Sequence, residues 1–205
     1  MKCFKILTTL LVVMLTGSVN AQAGTEQKKA KVKPLMERVE SGDQKAILDL
    51  GLLGDKSVIP YLQEIIAQAS HKNFGGEASN AQMALAKLGE KKQLDEILSE
   101  LYSDDPAIQD DAIKKLTYVG GKDSIRTLAK LLDDTKWRQM KGFDPNQRGP
   151  HGEIPQGRVL YPPRSLLAMK ALAQIVPNPP ASSTIEPTEE DLPKWREWWK
   201  DNNDK

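Results

Sequence analysis

The stretch Asp105–Asp134, DPAIQDDAIKKLTYVGGKDSIRTLAKLLDD, decides how this chain is read. Asp105 offers a carboxylate that can cap a helix, and Pro106 suits the first turn, where its missing N–H costs nothing. Ala112, Leu116 and Val119 then recur on one face at helical spacing. Gly120 and Gly121 supply the conformational freedom a helix end needs. Ile125, Leu128, Leu131 and Leu132 line the face of a second helix. The stretch therefore reads as a helical hairpin with two apolar faces turned toward each other.

Working outward, the same hairpin occurs three times. With Gly54, Gly89 and Gly120 as reference points, alanine stands eight positions before each (Ala46, Ala81, Ala112) and leucine four before (Leu50, Leu85, Leu116). One position before stand Leu53, Leu88 and Val119, and five after stand Ile59, Leu94 and Ile125. Eight after come Leu62, Ile97 and Leu128, and twelve after come Ile66, Leu101 and Leu132. The copies are separated by 35 and 31 residues. Unrelated amphipathic helices share a period but not one register across a turn, so this is an internal repeat. Alanine allows close helix approach, leucine fills the seam, and each hairpin leaves an apolar flank that a neighbour must cover. A fourth copy begins with Ala168, Leu172 and Ile175, but Val176 replaces the glycine and Pro177-Asn178-Pro179-Pro180 follows. The repeats are expected at about 43–69, 77–102 and 105–134, with a partial one at 164–176.

The motif in Asp105-Pro106, Ala112-Ile113, Leu116, Gly120-Gly121, Ile125, Leu128 and Leu131-Leu132-Asp133 resembles HEAT-like repeats of the phycobilisome-lyase type. Ala46-Ile47, Leu50, Leu53-Gly54-Asp55, Ile59 and Leu62 follow it well, and Ala81, Leu85, Leu88-Gly89, Leu94 and Ile97 less closely. The resemblance covers about residues 40–134 and, more faintly, 164–176. It implies an all-α fold, a right-handed α-solenoid of helical hairpins, and most often a protein-binding role. Some such proteins are lyases that attach bilins to cysteines in the cytoplasm. Such repeats commonly carry arginine soon after Asp-Pro, where this chain has Gln109. Stacking is thus expected to lean on apolar contacts.

Residues 1–23 read as a secretory signal: Lys2 and Lys5, an apolar run from Ile6 to Leu15, and the small-x-small site Ala21-Gln22-Ala23. The run is about half the roughly 20 residues that a spanning helix needs. Cys3 precedes the run, so it is not a lipoprotein cysteine, and the mature chain has no thiol. Location in the periplasm or outside the cell is expected. Removing Lys2 and Lys5 from 29 basic residues leaves 27 against 28 acidic ones, which argues for neither nucleic acid nor an anionic membrane as partner. Residues 24–32 read as a flexible leader, with a short helix from about Lys33 carrying Leu35, Met36 and Val39 and ending at Ser41-Gly42.

Between the third and fourth repeats, residues 135–163 are rich in glycine and proline and mildly basic, without helical period. An irregular stretch of this length is functional or disordered. The tail 191–201 reads as a capping helix, started by Asp191, with Leu192, Trp195 and Trp199 on one face and Trp198 beside them.

Little in the chain spells out chemistry. His71 and His151 lack partners at metal-ligand spacing and are read as loop residues, and no phosphate-loop or nucleophile-elbow motif appears. The doublets Asp104-Asp105, Asp110-Asp111 and Asp133-Asp134 are read as helix-end capping and solvation. No catalytic, cofactor or metal residue is assigned. The expected function is a non-enzymatic protein-interaction scaffold, monomeric and free of the membrane after cleavage, with another protein as partner. The residues assigned to that contact are Trp137, Arg138, Phe143, Arg148, Arg158 and Tyr161 in the insert. The alternatives are an envelope protein binding a ligand or glycan through the insert or through Trp195, Trp198 and Trp199, an enzyme using His151, and a lyase-like enzyme.

Overall fold

The computed structural model describes residues 30–72, 75–139, 160–180 and 187–203. The protein is all-α: nine α-helices and three 3-10 turns among the described residues, with no strand beyond one isolated bridge. None of the described helices is long and apolar enough to cross a membrane. The chain divides into two compact units, one ending at Gly89 and one beginning at Glu90. The signal segment 1–23 and residues 24–29 of the leader lie outside the described residues, as do most of the insert and His151.

In the first unit, α1 occupies residues 30–40, so residues 30–32 of the expected leader are helical. The reason is packing: Val32, Leu35, Met36 and Val39 all press on the unit's core. Gly42, at φ 93, turns the chain into α2 (Gln44–Leu53). The Asp43 carboxylate caps α2 by accepting from the Lys45 amide at 3.0 Å. Gly54 takes the left-handed conformation at the far end, and Asp55 caps a 3-10 turn, Lys56–Val58. That turn leads into α3 (Ile59–Lys72) and then α4 (Gly75–Lys87). His71 therefore sits in the last turn of α3, not in a loop. The fourth helix packs on both α2 and α3. Its Ala81, Ala84 and Leu85, with Leu88 just past its end, join Ile47, Leu50, Val58 and Leu62 in one core.

Asp43 gives the first prediction. The hydrogen bond from Arg38, 2.6 Å at Nη2, is the main force holding its carboxyl below the usual carboxylate range, helped by that guanidinium's charge and by the Lys45 and Ala46 amides, against partial desolvation. A lowered native pKa contributes stability above the ordinary carboxylate value of about 4, lost as pH falls through the lowered one. Asp43→Asn keeps a capping oxygen but removes the charge. The variant should melt below the wild type at pH 7, and the gap should close toward pH 2. An equal gap at both pH values would overturn this.

The second unit contains α5 (Lys91–Glu100), α6 (Pro106–Val119), α7 (Gly121–Lys130) with a 3-10 turn Leu131–Asp133, α8 (Arg164–Ile175), and α9 (Leu192–Asn202) after a 3-10 turn Glu189–Asp191. Asp105 caps α6 as expected, its Oδ1 accepting from the Ala107 amide at 2.8 Å. Helix α8 packs on both α6 and α7, the arrangement that α4 has on α2 and α3. Lys115 of α6 is almost fully buried and is neutralised by Glu100 of α5 at 2.7 Å and by Asp111 at 3.1 Å. The start of α9 corrects the expected cap. Asp191 already has helical φ and ψ, and its Oδ2 turns back to accept from the Thr188 amide at 3.2 Å. The 3-10 turn runs directly into α9, so the chain enters the helix at Thr188.

The repeat register matches the burial. The alanines eight before the glycines, the leucines four before and the apolar residues eight after are fully buried in all three copies. Ala168 and Leu172 of α8 are fully buried too. Each reference glycine has positive φ: 71 at Gly54, 95 at Gly89 and 60 at Gly120. Gly120 also has ψ −157, a region essentially reserved for glycine. Gly120→Ala should cost about 1–3 kcal/mol, read from the shift of the urea-unfolding midpoint. A midpoint within error of wild type would show that the turn relaxes.

Three arginines tie the second unit together, each ion-paired with one aspartate and donating to one backbone carbonyl. Arg138 reaches Asp110 at 2.6 Å and the Pro162 carbonyl at 2.7 Å, and also donates to Gln109 Oε1 at 2.8 Å. Arg164 reaches Asp134 at 2.6 Å and the Leu101 carbonyl at 2.8 Å. Arg196 reaches Asp133 at 3.0 Å and the Leu132 carbonyl at 3.1 Å. The acidic doublets at 110–111 and 133–134 thus receive cations brought in from other segments. Gln109, where an arginine was expected from the resemblance, bonds the one supplied by Arg138.

Candidate functional site

Of the six residues assigned to a partner, Phe143, Arg148 and Arg158 lie outside the described residues. The other three stand at the stem of the insert. Arg138 and Tyr161 form an antiparallel bridge, each amide donating to the other's carbonyl, at 3.0 and 2.9 Å. The Arg138 side chain is 11% exposed and fully engaged on α6 and Pro162. Its role in the described structure is to pin the insert's two ends. Tyr161 is half-buried, while Trp137 beside it is 57% exposed and Leu160 51%. Two exposed apolar residues, Trp137 and Leu160, therefore adjoin the bridged residues in the chain.

A second feature was not foreseen. Glycine ends the first helix of the other repeats, but Val176 leaves α8 extended, at φ −95 and ψ 142. The chain bends at Val176, Pro177 and Asn178 and does not enter another helix up to residue 180. Helix α9 packs against α8 and the 131–133 turn. Between the start of α7, the end of α8 and the last turns of α9 lies a groove of about 450 Å³, partly open to solvent. Its apolar surface comes from Ile125, Val176, Pro177, Trp198 and Trp199. Lys122 and Arg126 of α7 lie on its wall, as do Asn178 and Asn202. Arg126 faces Asp123 at 3.7 Å, and Asn202 donates to the Trp198 carbonyl at 2.8 Å.

The tryptophans divide into two roles. Trp195 is buried, at 1% exposure, and serves the core. Trp198 stands edge-on to it, with centroids 5.6 Å apart and planes at 71°. Trp198 and Trp199 are half-buried and tilted by 35° to each other. An edge-to-face contact adds about 0.5–1.5 kcal/mol beyond area burial, so Trp198 is held in place by its neighbour.

No family model, curated protein or solved structure matches this chain. The groove's chemistry is accordingly read from its own side chains. Among the described residues, no group of three or more His, Cys, Asp or Glu is placed to hold a metal ion. What the groove offers is apolar surface, two indoles, Lys122, and an Arg126 paired with Asp123. In the sequence, its marks were Val176 in the place of glycine and the adjacent pair Trp198-Trp199.

Proposed function

We propose that this chain is an exported HEAT-like repeat protein, a right-handed solenoid of helical hairpins that holds another protein without catalysis of its own. The observation that carries the reading is the recurrent packing, in which one helix lies across both members of a preceding hairpin, as α4 does on α2–α3 and α8 on α6–α7. Each added hairpin in such an array buries its neighbour's flank and extends a binding surface rather than building a reaction centre. The signal segment supports action in the periplasm or outside the cell. Trp137 and Leu160, exposed at a stem pinned by Arg138 and Tyr161, favour the insert as one contact region.

The test is affinity capture with the mature chain, residues 24–205, after brief cross-linking in its own envelope, beside a variant lacking 140–158. That deletion leaves Gln139, Val159 and Leu160 between the bridged Arg138 and Tyr161, and a three-residue link is a common hairpin connection. The variant should therefore fold. One dominant protein captured by the full chain, and lost with the deletion, would support the reading. Capture of no protein by either would sink it. A second reading, an envelope protein that binds a small molecule or glycan, is favoured by Trp198 and Trp199 lining a groove of ligand size.

A further inference from the structure

We infer that the outer edge of the insert's stem, at Trp137 and Gln139, takes up an extended segment of the partner protein as an added β-strand, held by backbone hydrogen bonds. This deepens the protein-binding reading and rests on it.

The bridge fixes which way the backbone points. The Arg138 amide donates to the Tyr161 carbonyl at 3.0 Å, and the Tyr161 amide donates to the Arg138 carbonyl at 2.9 Å. No peptide bond among the described residues is cis. In a planar trans peptide the C=O and N–H point opposite ways. The Trp137 carbonyl shares a peptide with the Arg138 amide, so it points away from Tyr161. The Gln139 amide shares one with the Arg138 carbonyl and also points away. An acceptor and a donor therefore stand on the outer edge, two residues apart, as an added strand requires. Neither has a hydrogen-bond partner among the described residues. Trp137 and Gln139 are both exposed.

The opposite edge is closed. By the same geometry the nitrogen of residue 162 points outward from the Tyr161 side, but Pro162 has no N–H to offer. Its carbonyl already accepts from Arg138 Nε at 3.0 Å and Nη2 at 2.7 Å. Proline on an edge blocks strand pairing. The open edge is also held in place beforehand. The Asp134 carbonyl accepts from the Ser165 amide at 3.0 Å, and the Asp134 carboxylate pairs with Arg164. Four residues on, the Arg138 side chain is anchored to Gln109 and Asp110 of α6. A backbone ordered in advance loses less entropy on binding.

Side chains narrow the partner. Successive residues of a strand face opposite ways. Arg138 turns toward α6, so Trp137 falls on the outer face, where its ring is exposed. An apolar side chain on the neighbouring strand would cover it. Asp133, Asp134 and Arg138 are each paired within the unit, whereas Lys136 is exposed and has no partner among the described residues. An acidic residue on the incoming segment would complement it. A second copy of this chain fits less well, because pairing edge to edge would bring two Lys136 side chains together.

The experiment uses the mature chain and a fluorescein-labelled nonapeptide alternating leucine with threonine and glutamate, followed by fluorescence anisotropy. Its controls are the same peptide N-methylated at alternate amides and a version with lysine for glutamate. The glutamate peptide should bind, with the N-methylated form at least tenfold weaker and the lysine form weaker too. Lys136→Glu should reverse the preference between glutamate and lysine. Gln139→Pro removes only the outward N–H, so it should weaken binding at least tenfold while the urea-unfolding midpoint stays that of the wild type. Should that variant unfold, hydrogen exchange in the wild type decides: saturating peptide should slow exchange of the Gln139 amide at least tenfold. Equal binding of the N-methylated peptide would overturn the proposal, as would an unprotected Gln139 amide or no binding at all. A dimer of the mature chain in sedimentation, lost in Gln139→Pro, would give the edge to a second copy and overturn the assignment to another protein. The envelope capture separates the two levels: a partner retained by a folded Gln139→Pro overturns the edge assignment alone, whereas no partner from any version overturns the protein-binding reading.

Discussion

Replacing Arg138 by alanine is expected to lower the stability of the second unit by about 2–4 kcal/mol. The guanidinium is 11% exposed and its partner Asp110 19%, so the pair is largely screened from water. Truncating the arginine strands a carboxylate at that site and also removes donors from the Pro162 carbonyl and Gln109 Oε1. Removing one partner of a buried pair costs more than the pair itself contributes, because the remaining charge stays desolvated. The double variant Arg138→Ala/Asp110→Ala should therefore be less damaged than the sum of the single variants, with a coupling energy of about 1–3 kcal/mol. Urea unfolding of all four proteins closes the cycle. A single-variant loss below about 0.5 kcal/mol would mean that water replaces the guanidinium, as at an exposed pair. Lysine at this position should not rescue, since its single ammonium cannot match a fork that spans Asp110, Gln109 and Pro162.

The same residue shows where sequence reasoning stopped. The apolar register was legible because it is local: alanine, leucine and glycine at fixed offsets put the same positions in the core of each copy, and those positions are buried. The fourth copy was legible up to Ile175 and ended where Val176 displaced the glycine. Arg138 was assigned to a partner because the insert is basic, yet its carboxylate lies 28 residues earlier on α6. Likewise Arg164 and Arg196 reach back to Asp134 and Asp133, across connections that no periodicity reports. The acidic doublets accordingly looked like solvated helix ends. The groove was hidden for a related reason. Its lining comes from 121–126, 175–178 and 198–203, and although Val176 and the tryptophans stood out singly, nothing in the sequence joins these three helix ends. Asp191 was read as a helix cap from residue type, whereas its carboxylate turns back to the Thr188 amide.

Trp195→Ala is expected to be the most damaging single change, at about 3–5 kcal/mol. The indole is 1% exposed on the face α9 turns inward, beside Leu192, where α9 packs on α8 and the 131–133 turn. Truncation opens a cavity and removes the edge contact that fixes Trp198. Phenylalanine should behave differently. The Trp195 Nε1 is buried without a hydrogen-bond partner among the described residues, so the wild type already bears the cost of an unpaired donor, about 1–3 kcal/mol. Trp195→Phe loses ring volume but also relieves that cost, and its net effect should stay below about 1.5 kcal/mol. Thermal and urea unfolding would check the order: alanine far below wild type, phenylalanine near it. If phenylalanine proved as damaging as alanine, the indole N–H would have a partner, such as an ordered water. The half-buried Trp199 gives the contrast that separates core from groove. Its alanine variant should lose much less stability than Trp195→Ala, because its ring lines the groove while Trp195 lies in the core.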